Sequence, residues 1–308
     1  MRVTITPETG TPLVLEESGD PTRGLLLDSR EKGNLEGWFS PPPPRAEAIA
    51  RPGHHGSFWP GRLLLESRVV TVRFHVVASR DYPARVWEKK IRQHVGEWAT
   101  QILRITVDDG MAVEYAHGYV SAPLVVDVRD GVTSCVVTLT CPDPVKYSGE
   151  GGGLDSVEAW EHLEGTWVRT GGATGGLLFP LFGQETHRGV ASTREPTARF
   201  TEKGMTNSLT VTNTGNAQSW PVLWADGPLA MAQWAMGESV VRWEGTLPIG
   251  QRLEVDGRYG SVTVGGVDMG GRGLVRAEFF QIPPGSSAIS FMANQEASWG
   301  VAWQSANI

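Results

Sequence analysis

Two closely spaced acidic residues, Glu254 and Asp256, could form a carboxylate pair that does acid/base chemistry. They lie in "LPIGQRLEVDGRYGSVTVGG" (247–266), where Leu253 and Val255 alternate with polar neighbours. A period of two is that of a β-strand with one buried face. "DGRYG" between the two alternating halves is typical of a connection that reverses the chain. We therefore predict a hairpin whose carboxylates face water, with catalysis as the alternative interpretation.

The histidine pair His54 and His55, in "RPGHHGSFW", is the best metal candidate in the sequence. Adjacent residues on an extended chain point to opposite sides, and no acidic or cysteine partner follows at chelating spacing. We predict that both are exposed loop residues. Three further acids, Asp108, Asp109 and Asp143, are interpreted as turn residues because they occur in "DDG" and between prolines.

The two cysteines, Cys135 and Cys141, lie in "SCVVTLTCPDP", which is typical of one strand. Six residues apart on a single strand they are too distant for a disulfide bond, and they match no zinc-binding spacing. We predict two buried structural thiols, as expected in a reducing compartment.

Known catalytic and phosphate-binding motifs are missing: the sequence contains no GxSxG, Walker loop or HExxH. "GGATGGLLFPLFG" has glycines, but an apolar run rather than a helix follows them. Four tryptophans suggest two interpretations, a sugar-stacking platform or burial in a core or interface, of which burial is favoured: Trp220, Trp224, Trp234 and Trp243. We predict no enzymatic activity, no catalytic, cofactor-binding or metal-binding residues, and no cofactor.

Composition limits the partners. The net charge of −7 argues against nucleic-acid binding, which needs concentrated Lys and Arg. No apolar run reaches the length of a membrane span, so we expect no membrane insertion. The start of the chain lacks a basic cluster followed by an apolar core, and we therefore expect synthesis in the cytoplasm.

The first half of the chain is predicted to be a β domain that carries one helix. "SPPPPR" cannot enter a helix or a sheet interior, so residues 40–60 are predicted to form an exposed arm or a stiff connector. The helix is predicted over 81–98, with Asp81 as its cap and Pro83 in its first turn. Its buried stripe is predicted to comprise Trp87, Ile91, His94, Val95 and Trp98.

A domain boundary is predicted near "KYSGEGGGLDS", where Gly and Ser replace the alternation. The domains are then 1–150 and 151–308, the second preceded by a Gly-rich linker. From about residue 198 nine short alternating stretches follow without a helix between them, which predicts an antiparallel β-sandwich or jelly roll and excludes a parallel βαβ architecture.

Three stretches resemble the distal tail proteins of long non-contractile-tailed bacteriophages, and in particular minor tail proteins of phages that infect actinobacteria. They are "GGLLFPLFG" (175–183), "VTNTGNAQSWPVLWADGPL" (211–229), and the hairpin stretch 247–266 with "FFQIPPGSSAISF" (279–291). "LTCPDPVKY" also resembles the end of that family's first domain. The arm 40–60 and the insert 149–200 have no counterpart that we can place.

The resemblance implies a structural virion component, a hexameric ring that connects the tail tube to the baseplate or tail tip. It implies that the N-terminal domain forms the ring and that the C-terminal domain is a sandwich similar to galectins and carbohydrate-binding modules. Expected partners are further copies of the chain, the tail tube protein, the tape-measure protein and the tail-tip hub proteins, and the expected location is the phage tail tip. The alternatives are a carbohydrate-binding module that attaches the particle to a host-surface glycan, and a tail-associated hydrolase.

Overall fold

The computed structural model describes residues 1–17, 25–27, 34–45, 49–58, 64–77, 84–129, 132–150, 157–158, 160–167 and 207–308. They form two compact units. The first unit contains Met1–Trp160 together with Gly215–Ala217 and Gln304–Ile308, and the second contains Glu161–Thr214 and Gln218–Trp303. These contact-defined units are not continuous in sequence, and the linear boundary near residue 150 stays a prediction.

The mainly β fold class is confirmed. In chain order the elements are β1 (Arg2–Pro7), β2 (Leu13–Glu16), β3 (Leu25–Leu27), β4 (Leu35–Glu36), β5 (Arg68–Val77), α1 (Ala84–Trp98), β6 (Leu103–Asp108), β7 (Val113–Val120), β8 (Val125–Arg129), β9 (Val132–Cys141), β10 (Lys146–Glu150), β11 (Val157–Glu158), β12 (Glu161–Trp167), β13 (Ser208–Asn213), β14 (Val222–Asp226), β15 (Leu229–Met236), β16 (Ser239–Leu247), β17 (Arg252–Asp256), β18 (Ser261–Val264), β19 (Val267–Asp268), β20 (Leu274–Ala277), β21 (Gly285–Ala293), β22 (Ala297–Trp303) and β23 (Ala306–Asn307).

A closed barrel is the centre of the first unit. Its strands follow the order β7-β6-β1-β2-β3-β5-β9, and β9 pairs back to β7, which closes the seven-stranded ring. All neighbours are antiparallel except β2 and β3, which make a short parallel pair. At the closure, a Cβ on Gly118 would lie 2.7 Å from the Thr140 carbonyl oxygen and 2.9 Å from Cys141 Sγ. Only a residue without a side chain fits this seam.

The barrel strands follow the alternation of their sequences. β9 alternates buried and less buried positions over its whole length, so Cys135, Val137 and Leu139 point into the core. Strands β1, β5 and β6 contribute the same kind of inward row, including Ile5, Phe74 and Ile105. The sequence pattern therefore places one face of each strand inside the barrel.

The single helix of the described chain, α1, packs on the barrel strands β5, β7 and β9. Ile91, Val95 and Trp98 are buried, as predicted, whereas Trp87 and His94 are only half-buried. The predicted cap and first-turn proline lie at 81–83, outside the described residues. The exposed side carries the Glu88–Arg92 pair with 3.0 Å between Oε1 and Nε. This helix is too short and too polar to cross a membrane.

The second unit is an antiparallel β-sandwich, as predicted. One sheet has the order β12-β22-β14-β17-β18-β19, and the other has the order β13-β21-β15-β16-β20. The inward faces of both sheets share one apolar core, in which Phe291 stacks on Trp299 with ring centroids 4.9 Å apart and contacts Trp234 at 5.3 Å. Such aromatic pairs add to the hydrophobic gain from buried area.

Part of the insert 149–200, for which the sequence suggested no role, is a strand of this sandwich. β12 pairs with β22 along its entire length, from Glu161 opposite Trp303 to Trp167 opposite Ala297. The sequence signal was weak because Leu163 is the one large aliphatic residue in that strand. The stretches "GGLLFPLFG" (175–183) and "ARFTEKG" (198–204) lie outside the described residues.

Candidate assembly surfaces

The arm 40–60 is described at residues 40–45 and 49–58, where it makes isolated antiparallel bridges, Pro44 with Leu65 and Ala50 with Ser57. Near its base, Arg45 N donates to Leu64 O at 2.6 Å and Glu66 N donates to Pro43 O at 2.9 Å. Farther out, Phe58 N donates to the Ile49 carbonyl at 2.9 Å. Of the described arm residues, 43–45 and 49–58 are exposed, as predicted, whereas Pro42 is buried. Whether the segment acts as an arm or as a stiff connector stays a prediction.

The arm carries apolar side chains that its own unit does not cover. Ile49 is 67% exposed, Phe58 54% and Leu64 48%. Beside the arm base, Phe39 is 60% exposed and Val69 50%. Ile49 and Phe58 are neighbours across the Phe58 N to Ile49 O hydrogen bond, and exposed apolar side chains that lie together are candidates for a protein contact. The arm is therefore the first candidate assembly surface.

Arg68 fixes the base of the arm. Its guanidinium is buried, with the residue 1% exposed. Nη1 donates to the carbonyl oxygens of Gly37, Trp38 and Ser40 at 2.7, 2.9 and 2.8 Å, and Nε donates to Pro144 O at 2.9 Å. Burial lowers the pKa of Arg68 from its usual value. One side chain thus ties the chain entering the arm to the turn after β9.

The second candidate surface is the open edge of β8. Within the described residues β8 pairs with β9 alone, at the end of the strand order of its sheet. Val125 on this strand is 57% exposed, and Val132 at the start of β9 is 37% exposed. An edge strand with unpaired backbone groups is a template for a strand of another chain.

The carboxylates with which the sequence analysis began belong to a hairpin, as predicted. β17 and β18 pair with Leu253 opposite Val264 and Glu254 opposite Thr263. Glu254 is exposed and accepts from Thr263 Oγ1 at 3.3 Å. Asp256 Oδ1 accepts the backbone N–H of Arg258 at 2.7 Å, which stabilises the turn. The geometry assigns both acids a local structural role.

The other predicted turn acids cap backbone groups. Asp108 accepts Gly110 N at 2.9 Å, and Asp109 accepts Met111 N and Ala112 N at 2.8 Å each. These backbone hydrogen bonds lower the pKa of Asp109.

The Asp143 carboxylate accepts hydrogen bonds from Val145 N at 3.0 Å and from the Tyr147 hydroxyl at 2.8 Å. His54 and His55 are exposed in the arm. Across the described ranges, no group of three or more His, Cys, Asp or Glu side chains is arranged to hold a metal ion.

Both cysteines are free and buried on β9, as predicted. Burial raises the pKa of Cys135 and of Cys141 to about 11 each. A thiol with a pKa this high is protonated at neutral pH and is a poor nucleophile.

Three of the four tryptophans considered for a sugar platform are buried: Trp234 is 0% exposed and Trp243 4%, both in the sandwich core, and Trp224 is 6% exposed but lies outside that core cluster. Trp220 is half-buried. The favoured prediction of burial is confirmed for these three. Two residues lie against the Trp224 ring. The Arg252 guanidinium is 3.8 Å from the ring centroid. Gly300 is so close that a Cβ added there would lie 2.4 Å from the ring. Both faces of this indole are therefore occupied.

One hydroxyl–imidazole pair was not recognised in the sequence. His75 Nδ1 and Ser134 Oγ are 3.0 Å apart on the paired strands β5 and β9. Asp127 on β8 is opposite Ser134, so the serine stands between the acid and the histidine. A nucleophilic triad requires the histidine in the middle. The pair is thus a cross-strand contact, which no local sequence pattern reveals.

Fold comparison gives the class of protein to which this architecture is similar. The chain shares its fold with the Dit protein of phage SPP1, at a TM-score of 0.60 and 13% sequence identity, over 99% of both chains. That protein is described as a paradigm of the hub of the adsorption apparatus in phages that infect Gram-positive bacteria.

Two further similar structures are chains of the phage p2 baseplate in its activated conformation, with Sr and with Ca. Their TM-scores are 0.46 and 0.45 at 8% identity, and 98% of each chain is covered. No family model matches the sequence, and no curated protein matches it. The comparison with SPP1 Dit therefore supports the fold, and it covers 99% of this chain.

Proposed function

We propose that this protein is a structural component at the distal end of a phage tail, where its copies form a ring, hexameric by the family resemblance, between the tail tube and the baseplate or tail tip. The observation that carries this proposal is the fold shared with SPP1 Dit over 99% of both chains. This match covers both units of the chain and not the sandwich alone. The ring joins the tail tube, tape-measure and hub proteins in the virion after synthesis in the host cytoplasm.

The two candidate surfaces support assembly. A closed ring of identical copies needs two different patches on each copy that fit one another. The first unit offers an apolar arm with Ile49 and Phe58 exposed, and an open strand edge with Val125 exposed. In this proposal the arm of one copy contacts the next copy, and the function requires no catalytic group.

The ring is tested by mass photometry and negative-stain microscopy of the purified protein. We expect closed rings with six-fold symmetry, and persistent monomers would contradict the proposal.

The arm is tested with the double variant Ile49→Asp and Phe58→Asp, which places charge on exposed positions and leaves the core intact. We expect folded monomers. Tyr259→Asp, at a 75% exposed position of the second unit, is the matched control and keeps the ring.

Glycan binding stays the alternative prediction. The buried and covered tryptophans described above do not favour it. A glycan array separates the two functions, because ring formation without glycan binding is the outcome that our proposal expects. Zymography on host cell wall tests the hydrolase alternative, and clearing would contradict a non-enzymatic role.

A further inference from the structure

The first unit is completed by two short segments that lie far along the chain from its barrel. We call Gly215–Ala217 and Gln304–Ile308 the return segments. Within the second of these, β23 adds to β10 as an antiparallel strand, with Asn307 opposite Lys146 and Ala306 opposite Tyr147. Without this segment, the Lys146–Tyr147 part of that edge of β10 would be open, since β11 pairs only with Gly149 and Glu150.

Polar contacts fasten the second return segment to the first unit. Ser148 N and Oγ both donate to Ser305 O at 3.0 Å. The Tyr115 hydroxyl donates to Gln304 Oε1 at 2.7 Å, in a buried position. Asn307 Nδ2 donates to Glu114 Oε1 at 2.8 Å, and the other oxygen of this carboxylate accepts Lys146 Nζ at 2.7 Å. These bonds come from several strands, so the segment is docked in one register.

The two return segments also bind each other. Ala217 N donates to Ala306 O at 2.9 Å, and Ile308 N donates to Asn216 Oδ1 at 2.8 Å. A Cβ on Gly215 would lie 1.9 Å from the Ala306 carbonyl oxygen, so the close approach requires glycine. A small apolar cluster joins both segments to the barrel side: Tyr115, Tyr147, Ala217 and Ala306.

In the second unit, the residues next to the return segments are held together. Trp303 Nε1 donates to Thr212 O at 3.0 Å. Asn213 Nδ2 and Ser219 N both donate to Ile282 O, at 3.1 and 2.9 Å. The folded second unit therefore holds close together the three points at which the chain enters or leaves the return segments.

We propose that the second unit acts as a folding-dependent clamp: only when it is folded are both return segments held ready to complete the first unit. With the second unit unfolded, each segment is tethered by a long flexible chain, and closing such loops costs entropy. When the second unit is folded, the two return segments are held near each other, so their effective concentration for binding each other is high. If the ring function proposed above is correct, a chain enters the tail only after its second unit has folded. This consequence rests on the proposed function. The clamp itself does not.

Hydrogen exchange measured residue by residue tests the clamp. The Ser148 and Ala217 amides report on docking of the return segments. The Gly257 amide donates to Pro221 O at 3.0 Å and reports on the second unit. The Arg73 amide donates to Asn34 O at 2.8 Å and reports on the barrel. In Trp299→Ala, which removes a fully buried side chain of the second unit, we expect Gly257, Ser148 and Ala217 to accelerate together, at least roughly tenfold.

The Arg73 amide should stay slow in the same variant, which shows that the barrel remains folded. Protection of Ser148 and Ala217 that persists while Gly257 exchanges rapidly would overturn the clamp. This holds whether Trp299→Ala loosens the second unit or unfolds it completely, and it does not depend on ring formation.

A second variant tests docking directly. Gly215→Val places methyl groups against the Ala306 backbone, and we expect the Ser148 and Ala217 amides to accelerate at least roughly tenfold. Gly96→Val is the matched control, because a Cβ at this helical position meets nothing within 4 Å, and its Ser148 amide should exchange as in the parent. Parent-like exchange of Ser148 in Gly215→Val would overturn the proposal.

Discussion

The two units stabilise their interiors in different ways. The first unit buries two cations, Arg68 and Lys146, which contact backbone carbonyls, a carboxylate and the Trp38 ring, whereas the buried residues described in the second unit include no charged side chain. The second unit instead stacks Phe291 on Trp299. A buried charge is costly unless hydrogen bonds or an opposite charge compensate it, and in the first unit the bonds of both cations join segments that are distant along the chain.

Both units combine local hairpins with pairings between strands that are remote in sequence. In the second unit β15 and β16, and likewise β17 and β18, are consecutive hairpins whose register follows from alternation and turn chemistry, whereas β12 and β14 pair with the distant β22. In the first unit β6 and β7 are a consecutive hairpin, whereas β1 pairs with β6 and β10 pairs with β23. In each unit the hairpins are specified locally, and completion of the sheets depends on contacts between remote parts of the chain.

The largest expected effect tests the apolar core of the second unit. Trp234 is 0% exposed and contacts the Phe291 ring. We expect Trp234→Ala to lower the free energy of unfolding of this unit by about 4 kcal/mol, from lost burial and the remaining cavity. Denaturant unfolding measures it, and Tyr259→Ala at the exposed turn should change it by less than about 0.5 kcal/mol. A small effect of Trp234→Ala would mean that the aromatic stack does not stabilise the sandwich.

A slightly smaller effect tests the buried cation of the first unit. We expect Arg68→Met to destabilise this unit by roughly 3 kcal/mol, because four carbonyl oxygens lose their donor in a buried place. Arg73→Met is the control on the same strand: Arg73 pairs with Glu36 in a largely exposed position, and about 0.5 kcal/mol is expected. Equal unfolding midpoints for the two variants would mean that the buried arginine stabilises the first unit no more than an exposed one does.

The smallest effect sharpens the view of the polar face of the sandwich. Arg252 covers the Trp224 ring and makes two hydrogen bonds to Asp226, at 2.8 and 3.1 Å. We expect Arg252→Ala to cost about 1 kcal/mol, since the pair is partly exposed and screened by solvent. Thermal unfolding measures this loss. Arg276→Ala, which removes an exposed ion pair with Glu278, is the comparison, and a larger loss there would argue against a special role for the covered indole.

Much of the local structure was predictable from residue patterns. The hairpin around "DGRYG", the turn roles of Asp109 and Asp143, and the buried cysteines followed from alternation and from acids that precede turns. The arm was predictable because consecutive prolines cannot enter a sheet interior. The sequence shows that Ile49 and Phe58 in the arm are apolar, but it does not show that they are exposed to solvent.

Other features have no local signature. Strand β12 was not predicted, since its polar sequence becomes a strand through pairing with β22. Arg68 read as one of many charged residues, and only the folded chain shows that it is buried and bonded to four carbonyl groups. The contact of His75 with Ser134 likewise depends on which strands are neighbours.

By itself, the sequence determined the mainly β class, the helix and the polar faces of the sandwich, because periods of 2 and 3.6 residues and turn chemistry act over a few neighbouring positions. The tertiary structure alone decided that the barrel closes at Gly118 and that segments 215–217 and 304–308 return to complete the first unit. Those contacts join residues that are far apart along the chain, where the entropy of loop closure, the packing and the burial of the whole fold select the partner.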